Sequence, residues 1–229
     1  MRDMASYCRY LFRLVEPALG TRVWEVGVGH GNYTRLLRAA GRSVLATDID
    51  DDCLAQVGAY FEGDCEVQTA RVDLTDQASV RAQAHFGADS IMSLNVLEHI
   101  DDDVAALTWL RESAGSQARI GLIVPALPGL YGRMDREAGH FRRYTRRSLR
   151  LALEHAGWLV TSTRYVNLLG ALGWWYHNRV RQHAGLNDAT VNRQMRRVDG
   201  LLPAVARVSD PVCGWIAGLS VAALGIANE

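Results

Sequence analysis

The chain has 229 residues, 48% of them hydrophobic and 22% charged, which is ordinary for a globular protein and gives ample length for one α/β domain and its core. Its 25 basic and 25 acidic side chains cancel. No overall basic excess marks a nucleic-acid partner, and no run of about 20 apolar residues marks a membrane span.

The first expected strand, residues 22–27, runs into Glu25-x-Gly27-x-Gly29-x-Gly31, and Asn32-Tyr33-Thr34-Arg35-Leu36-Leu37 reads as the opening of a helix. Glycines at alternate positions make a tight loop whose backbone can approach a ligand. A dinucleotide turn offers a pyrophosphate bare N–H groups at a helix N-terminus. The carboxylate of Glu25 repels such a group and favours a cationic one, such as an amino-acid ammonium. The G-x-G-x-G spacing also departs from G-x-G-x-x-G, against a nicotinamide-dependent oxidoreductase. A glycine-rich turn with no ligand is the plain alternative, since a fingerprint alone is weak.

The second strand, 43–48, ends in Asp48, about 20 residues past the glycines, where a strand-end acid meets ribose hydroxyls. Ile49 stands beside it. Asp50, Asp51 and Asp52 suit a helix start. The third strand, 66–71, leads to Asp73-Leu74. A polar acceptor and an apolar cover suit an adenine, although Asp73 also reads as a turn residue. Further strands are expected at 89–94, 119–125, 158–166 and 218–226, with helices between the first five and another over 147–156. Such alternation implies right-handed crossovers, a mostly parallel sheet, and ligands at the strands' carboxyl ends. The segment 168–211 is too long for a plain connection and reads as a helical lid before the last strand.

Glu25-x-Gly27-x-Gly29-x-Gly31, Asp48, Asp73-Leu74 and Asn95-Val-Leu-Glu-His99 occur in an order and at intervals that resemble class I S-adenosylmethionine-dependent methyltransferases. The resemblance spans roughly residues 7–227. It implies a Rossmann-like sheet of seven strands with helices on both faces, the seventh strand antiparallel. It also implies that Glu25 and the Gly27–Gly31 loop hold the methionine end, Asp48 the ribose, Asp73 and Leu74 the adenine, and that Asn95 lies under the sulfonium. Tyr7 and Tyr10, ahead of the first strand, would close over the cofactor. Trp24 departs from the smaller aliphatic residue usual there. Residues 124–145, with Gly139-His140-Phe-Arg-Arg-Tyr144, and Asn167-Leu-Leu-Gly-Ala-Leu-Gly-Trp-Trp resemble a bacterial subgroup whose members include enzymes acting on small molecules or sugars.

The expected activity is methyl transfer to an oxygen or nitrogen of a small molecule, with a non-catalytic cofactor-binding scaffold as the alternative. Positioning supplies much of such a reaction, and a histidine suits any base it needs. His140, in the loop past the fifth strand, is the first candidate; a structural hydrogen bond pinning that loop competes with it. His99 is the second. Tyr131, Asp135 and Tyr144 are expected to orient the acceptor, and Arg142 and Arg143 to meet an anionic one. Trp174, Trp175 and His177 line the acceptor pocket, or pack in the core, or form a homodimer contact. Cys8, Cys53, Cys65 and Cys213 form no C-x-x-C pair, so neither a metal nor a disulfide framework is read from them, and reduced thiols in a cytoplasmic protein are expected.

Overall fold

The computed structural model describes residues 5–179, 203–206, 208, 210 and 214–228. Seven strands appear: β1 (Arg22–Val26), β2 (Ser43–Asp48), β3 (Val67–Arg71), β4 (Ser90–Leu94), β5 (Arg119–Pro125), β6 (Trp158–Val166) and β7 (Ser220–Ala227). They form one sheet in the order β3-β2-β1-β4-β5-β7-β6. Pairs from β3 to β5 are parallel, and β7 is antiparallel to both neighbours. This is the Rossmann-like arrangement that the alternation and the family resemblance imply.

Position in the sheet explains each strand's composition. Inner strands β4 and β5 are buried almost throughout and read as continuous apolar runs. β6, at one edge, alternates buried and exposed residues, and β3, at the other, is largely exposed.

Helices among the described residues include α1 (Ala5–Val15), α2 (Asn32–Ala39), α3 (Asp51–Tyr60), α4 (Gln77–Arg81), α5 (Asp103–Ser113), α6 (Arg133–Glu137), α7 (Arg146–His155) and α8 (Leu168–Arg179). Caps fix where several begin. Asp50 accepts from the amides of Asp52 and Cys53 to start α3, and Thr145 with Ser148 forms a capping box for α7. Asp50, Asp51 and Asp52 are therefore helix-start acids.

Two apolar clusters cover the sheet's faces. One joins α1 and α2 to Val23, Val44, Met92 and Ile123. The other joins α5 and α7 to Trp24, Ile91, Leu122 and Trp158. Trp24 fits fully inside, and its indole N–H donates to Thr47 Oγ1 at 3.0 Å. The segment before β7 opens with α8; residues 180–202 of the expected lid lie outside the described residues. No helix among the described residues is long and apolar enough to cross a membrane.

Candidate functional site

Between β1 and β4 the strand order reverses, so the loops leaving them diverge and open a crevice. A cleft of about 640 Å³ lies there. Its walls include Gly27, Gly29 and His30 after β1, Asp48 and Ile49 after β2, Asp73 and Leu74 after β3, and Asn95, Val96 and His99 after β4. Four loops far apart in sequence thus contribute to one surface.

Hydrogen bonds from β2 shape the glycine loop. The Thr47 carbonyl accepts from the amides of Gly27 and Val28, at 2.8 and 3.0 Å. Asp48 Oδ2 accepts from the Gly29 amide at 2.9 Å, and Oδ1 from the Asp50 amide at 3.1 Å. A carboxylate has about four acceptor sites, so Asp48 pins the loop and keeps capacity for a ligand. Asp73 Oδ1 accepts from the amide and hydroxyl of Thr75, and these bonds hold its pKa below the usual carboxylate range. Asp73 is thus the turn residue the sequence allowed and also a cleft residue. Asn95 has φ +56°, which turns the chain sharply at the end of β4.

Glu25 lies beneath the loop rather than on the cleft wall, and is 1% exposed. Oε2 accepts from Thr34 Oγ1 at 2.7 Å, while Oε1 has no partner among the described residues. Burial raises its pKa to about 8. The folded chain therefore keeps a proton that the unfolded chain releases above about pH 4.5, and this contribution to stability is lost as pH rises toward 8. The group alone imposes a fall of up to about 1.4 kcal/mol per pH unit across that window. Glu25→Gln is expected to flatten the pH dependence of urea unfolding between pH 4.5 and 8 by that amount. An unchanged slope would mean that Glu25 is already ionised in the fold.

The chain from 126 to 145 makes a closed excursion beside the cleft. Ala126 and Tyr144 pair in parallel, and the Tyr144 amide donates to the Pro125 carbonyl. Arg143, 5% exposed, reaches Asp135 at 2.7 Å and the Ala126 carbonyl at 3.0 Å, with its guanidinium over the Trp174 ring. Asp135 is fully buried. Burial pushes its pKa up, but His140, Arg143 and the Gly132 amide together hold it below the ordinary value. Tyr144 donates to Asp103, and burial and that bond push its pKa far up.

Asp135, Tyr144 and Arg143 are thus committed inside the fold, correcting the expectation that they meet an acceptor. Arg142 pairs with Asp101 and Asp103. The Tyr131 hydroxyl donates to the His140 carbonyl at 2.7 Å.

His140 Nδ1 lies 3.1 Å from Asp135 Oδ1, so the structural hydrogen bond does exist. Its ring meets that of His99 edge-on, with centroids 4.7 Å apart. Burial and the neighbouring His140 lower the pKa of His99. His99 is exposed on the cleft wall, with His140 packed against it. Next to them is Glu98, 1% exposed, with Oε2 unpartnered among the described residues and a pKa raised to about 8 by burial. The sequence reading passed over Glu98 as a site residue, because nothing in Asn95-Val-Leu-Glu-His99 tells which side chain the short 3₁₀ turn at Leu97–His99 directs inward.

Tyr7 is buried and is not among the residues that line the cleft. Its hydroxyl accepts from Asn167 Nδ2 at 3.1 Å, and Asn167 in turn binds Asp210 through its amide. The neighbouring Tyr10 donates to Asp210. These bonds anchor α1 to the start of α8. Trp174 is half-buried against Arg143, and Trp175 is exposed. The side chain of His177 lies outside the described residues.

A family model described as a methyltransferase domain matches residues 2–163. Solved structures share the fold at low identity. An Archaeoglobus fulgidus SAM-dependent methyltransferase is 15% identical with TM-score 0.62, covering 97% of this chain and 94% of that one. A Mesorhizobium loti S-adenosylmethionine-dependent methyltransferase is 15% identical with TM-score 0.61, covering 96% and 97%. Haemonchus contortus phosphoethanolamine N-methyltransferase 2, solved with S-adenosyl-L-methionine, is 14% identical with TM-score 0.60, covering 96% of this chain and 52% of that one. Among curated proteins no sequence matches. With the family model spanning the glycine loop and every cleft wall, the chain belongs to the methyltransferase-domain family, within the class I S-adenosylmethionine-dependent superfamily.

Proposed function

We propose that the chain transfers a methyl group from S-adenosylmethionine to an oxygen or nitrogen of a small molecule of natural-product or sugar type. The observation that carries the reading is the convergence of the glycine loop, Asp48, Asp73-Leu74 and Asn95 on one cleft. The residues present fit the cofactor. At Gly27 a Cβ would stand 2.1 Å from Val96 Cγ2, so only glycine leaves that wall open. The unpartnered Glu25 oxygen beneath the loop suits a cation nearby, beside which the buried carboxyl would give up its proton. In this reading Glu25 and the loop hold the methionine end, Asp48 the ribose, Asp73, Leu74 and Ile49 the adenosyl group, and Asn95 the region of the sulfur.

When bound, S-adenosylmethionine supplies a methyl group already activated on a sulfonium. The chain's task is then to align the acceptor and exclude water. His99 is the better placed histidine to touch an acceptor, since it lies on the wall. His140 supports it from behind, a reversal of the sequence-based order.

Thermal unfolding tests the reading. Ligand at a hundred times its dissociation constant stabilises by about 2.7 kcal/mol, a shift of roughly 5–10 °C for this size. S-adenosylmethionine and S-adenosylhomocysteine are expected to give that shift, and NAD none. Asp48→Ala is expected to weaken cofactor binding at least about tenfold with the fold intact, the loss of one or two charge-assisted bonds. A shift with NAD alone would instead support an oxidoreductase. No shift with any of the three would overturn the cofactor pocket itself.

A further inference from the structure

We infer that Glu98, His99 and His140 form a site for a divalent metal ion of the zinc type on the acceptor side of the cleft. One ligand atom from each lies within 4.8 Å of the others. Two imidazoles and one carboxylate make a common catalytic donor set, in which three protein ligands leave a coordination position open. These elements converge from two loops: the short turn after β4 carries Glu98 and His99, and the excursion after β5 returns with His140.

Three further observations distinguish this cluster from a chance grouping. Glu98 is buried and its Oε2 has no hydrogen-bond partner among the described residues, so a desolvated carboxylate stands without the compensation that buried polar groups normally find. His140 Nδ1 is engaged by Asp135, which leaves Nε2 as the ring's lone-pair atom, and that atom faces Glu98 Oε1 at 3.9 Å. This gap is too long for a hydrogen bond. Two ligands at about 2.0–2.2 Å from a tetrahedral ion stand roughly 3.3–3.6 Å apart, so a small contraction would close the pair on a metal.

Asp135 supplies the carboxylate that orients the far nitrogen of a metal-binding histidine, and Arg143 fixes Asp135 in turn. The His99 ring packs edge-on against the His140 ring, with centroids 4.7 Å apart. His140 is therefore held before any ion arrives, and His99 packs on it.

His99 belongs to the cleft wall, so an ion here would present its open position to whatever enters beside the cofactor. The ligand class for that position is an oxygen donor: an acceptor hydroxyl, or a hydroxyl with a neighbouring carbonyl or carboxylate. That role toward an acceptor rests on the methyltransferase reading. The metal site itself rests on the side-chain geometry alone.

The test is titration of the chelator-stripped full chain with Zn²⁺ by calorimetry, with Mg²⁺ in parallel, and with Co²⁺ by visible absorption. One equivalent of Zn²⁺ is expected to bind, Mg²⁺ far more weakly, and Co²⁺ to show the intense bands of low coordination. His99→Gln and His140→Gln are each expected to weaken Zn²⁺ at least tenfold. His140→Gln should keep the thermal shift with S-adenosylmethionine. Glu98→Gln should also weaken Zn²⁺; if that buried change unfolds the chain, His99→Gln, on an exposed ring, decides the matter. No Zn²⁺ uptake, or uptake with unchanged affinity in both histidine variants, would overturn the site, the latter placing the ion elsewhere, such as at Cys53 or Cys65. Cofactor binding is read separately. A cofactor shift without Zn²⁺ uptake sinks only the metal site, and Zn²⁺ uptake without a cofactor shift supports it while sinking the methyltransferase reading.

Discussion

Arg143→Met is expected to lower the unfolding midpoint by about 6–20 °C. The guanidinium is 1% exposed and its partner Asp135 is fully buried, at 2.7 Å. Removing one member of a buried pair costs about 3–5 kcal/mol, here because Asp135 keeps bonds from His140 and the Gly132 amide but loses its guanidinium, and each kcal/mol moves the midpoint of a chain this size by about 2–4 °C. The loss should be larger than the missing ion pair alone suggests. Arg143 also donates to the Ala126 carbonyl and covers the Trp174 ring, so the excursion after β5 loses its tie to α8 as well. Asp135→Asn in the same chain removes the stranded charge and should restore part of the stability, so that the double variant is more stable than Arg143→Met. A midpoint within 2 °C of the parent for Arg143→Met would mean that Asp135 protonates at little cost, and that the pair does not hold the loop.

Which parts of this molecule were legible in its sequence follows from where the determining contacts lie along the chain. The strands were readable because β1, β4 and β5 lie inside the sheet and must be apolar on both faces. The cleft was readable because each contributor sits at a strand's end, a position fixed by local pattern. Asp48 needed only the end of a strand and a count from the glycines, whereas the role of Asn95 came from the family resemblance. The anchor between Tyr7 and Asn167 joins residues 160 positions apart, and no local pattern announces it. The Gly-His-x-Arg-Arg-Tyr segment was conspicuous, but its use was not. Basic and aromatic residues beside a cleft invite a substrate, and only the fold shows that Arg143 and Tyr144 turn inward to Asp135 and Asp103. Glu98 was hidden by the same ambiguity in reverse. A glutamate after a strand normally faces water, and here a 3₁₀ turn buries it.

Gly27→Ala should both destabilise the fold and weaken the cofactor, and the two effects can be separated. Gly27 has φ +78°, where an L side chain costs about 1–2 kcal/mol. The new Cβ would also stand 2.1 Å from Val96 Cγ2, a clash that adds roughly 1–3 kcal/mol as backbone and side chain shift apart. The sum, about 2–5 kcal/mol, predicts a fall of about 4–20 °C in the midpoint. Gly41 has a similar φ of +75° but nothing within 4 Å of a Cβ there. Gly41→Ala should therefore show the conformational cost alone, with cofactor affinity unchanged. Adding Val96→Ala to Gly27→Ala removes the clashing methyl and should recover the crowding share of the loss, but not the share due to φ. Cofactor affinity discriminates further. The Gly27 and Val28 amides and Asp48 hold one loop together, so displacing Gly27 also displaces Gly29 and the carboxylate that binds it. Affinity for S-adenosylhomocysteine should fall at least about tenfold in Gly27→Ala, some 1.4 kcal/mol. Full affinity in a variant that is nonetheless destabilised would show that Gly27 serves packing against Val96 rather than the ligand, and would move the cofactor's methionine end away from this wall of the cleft.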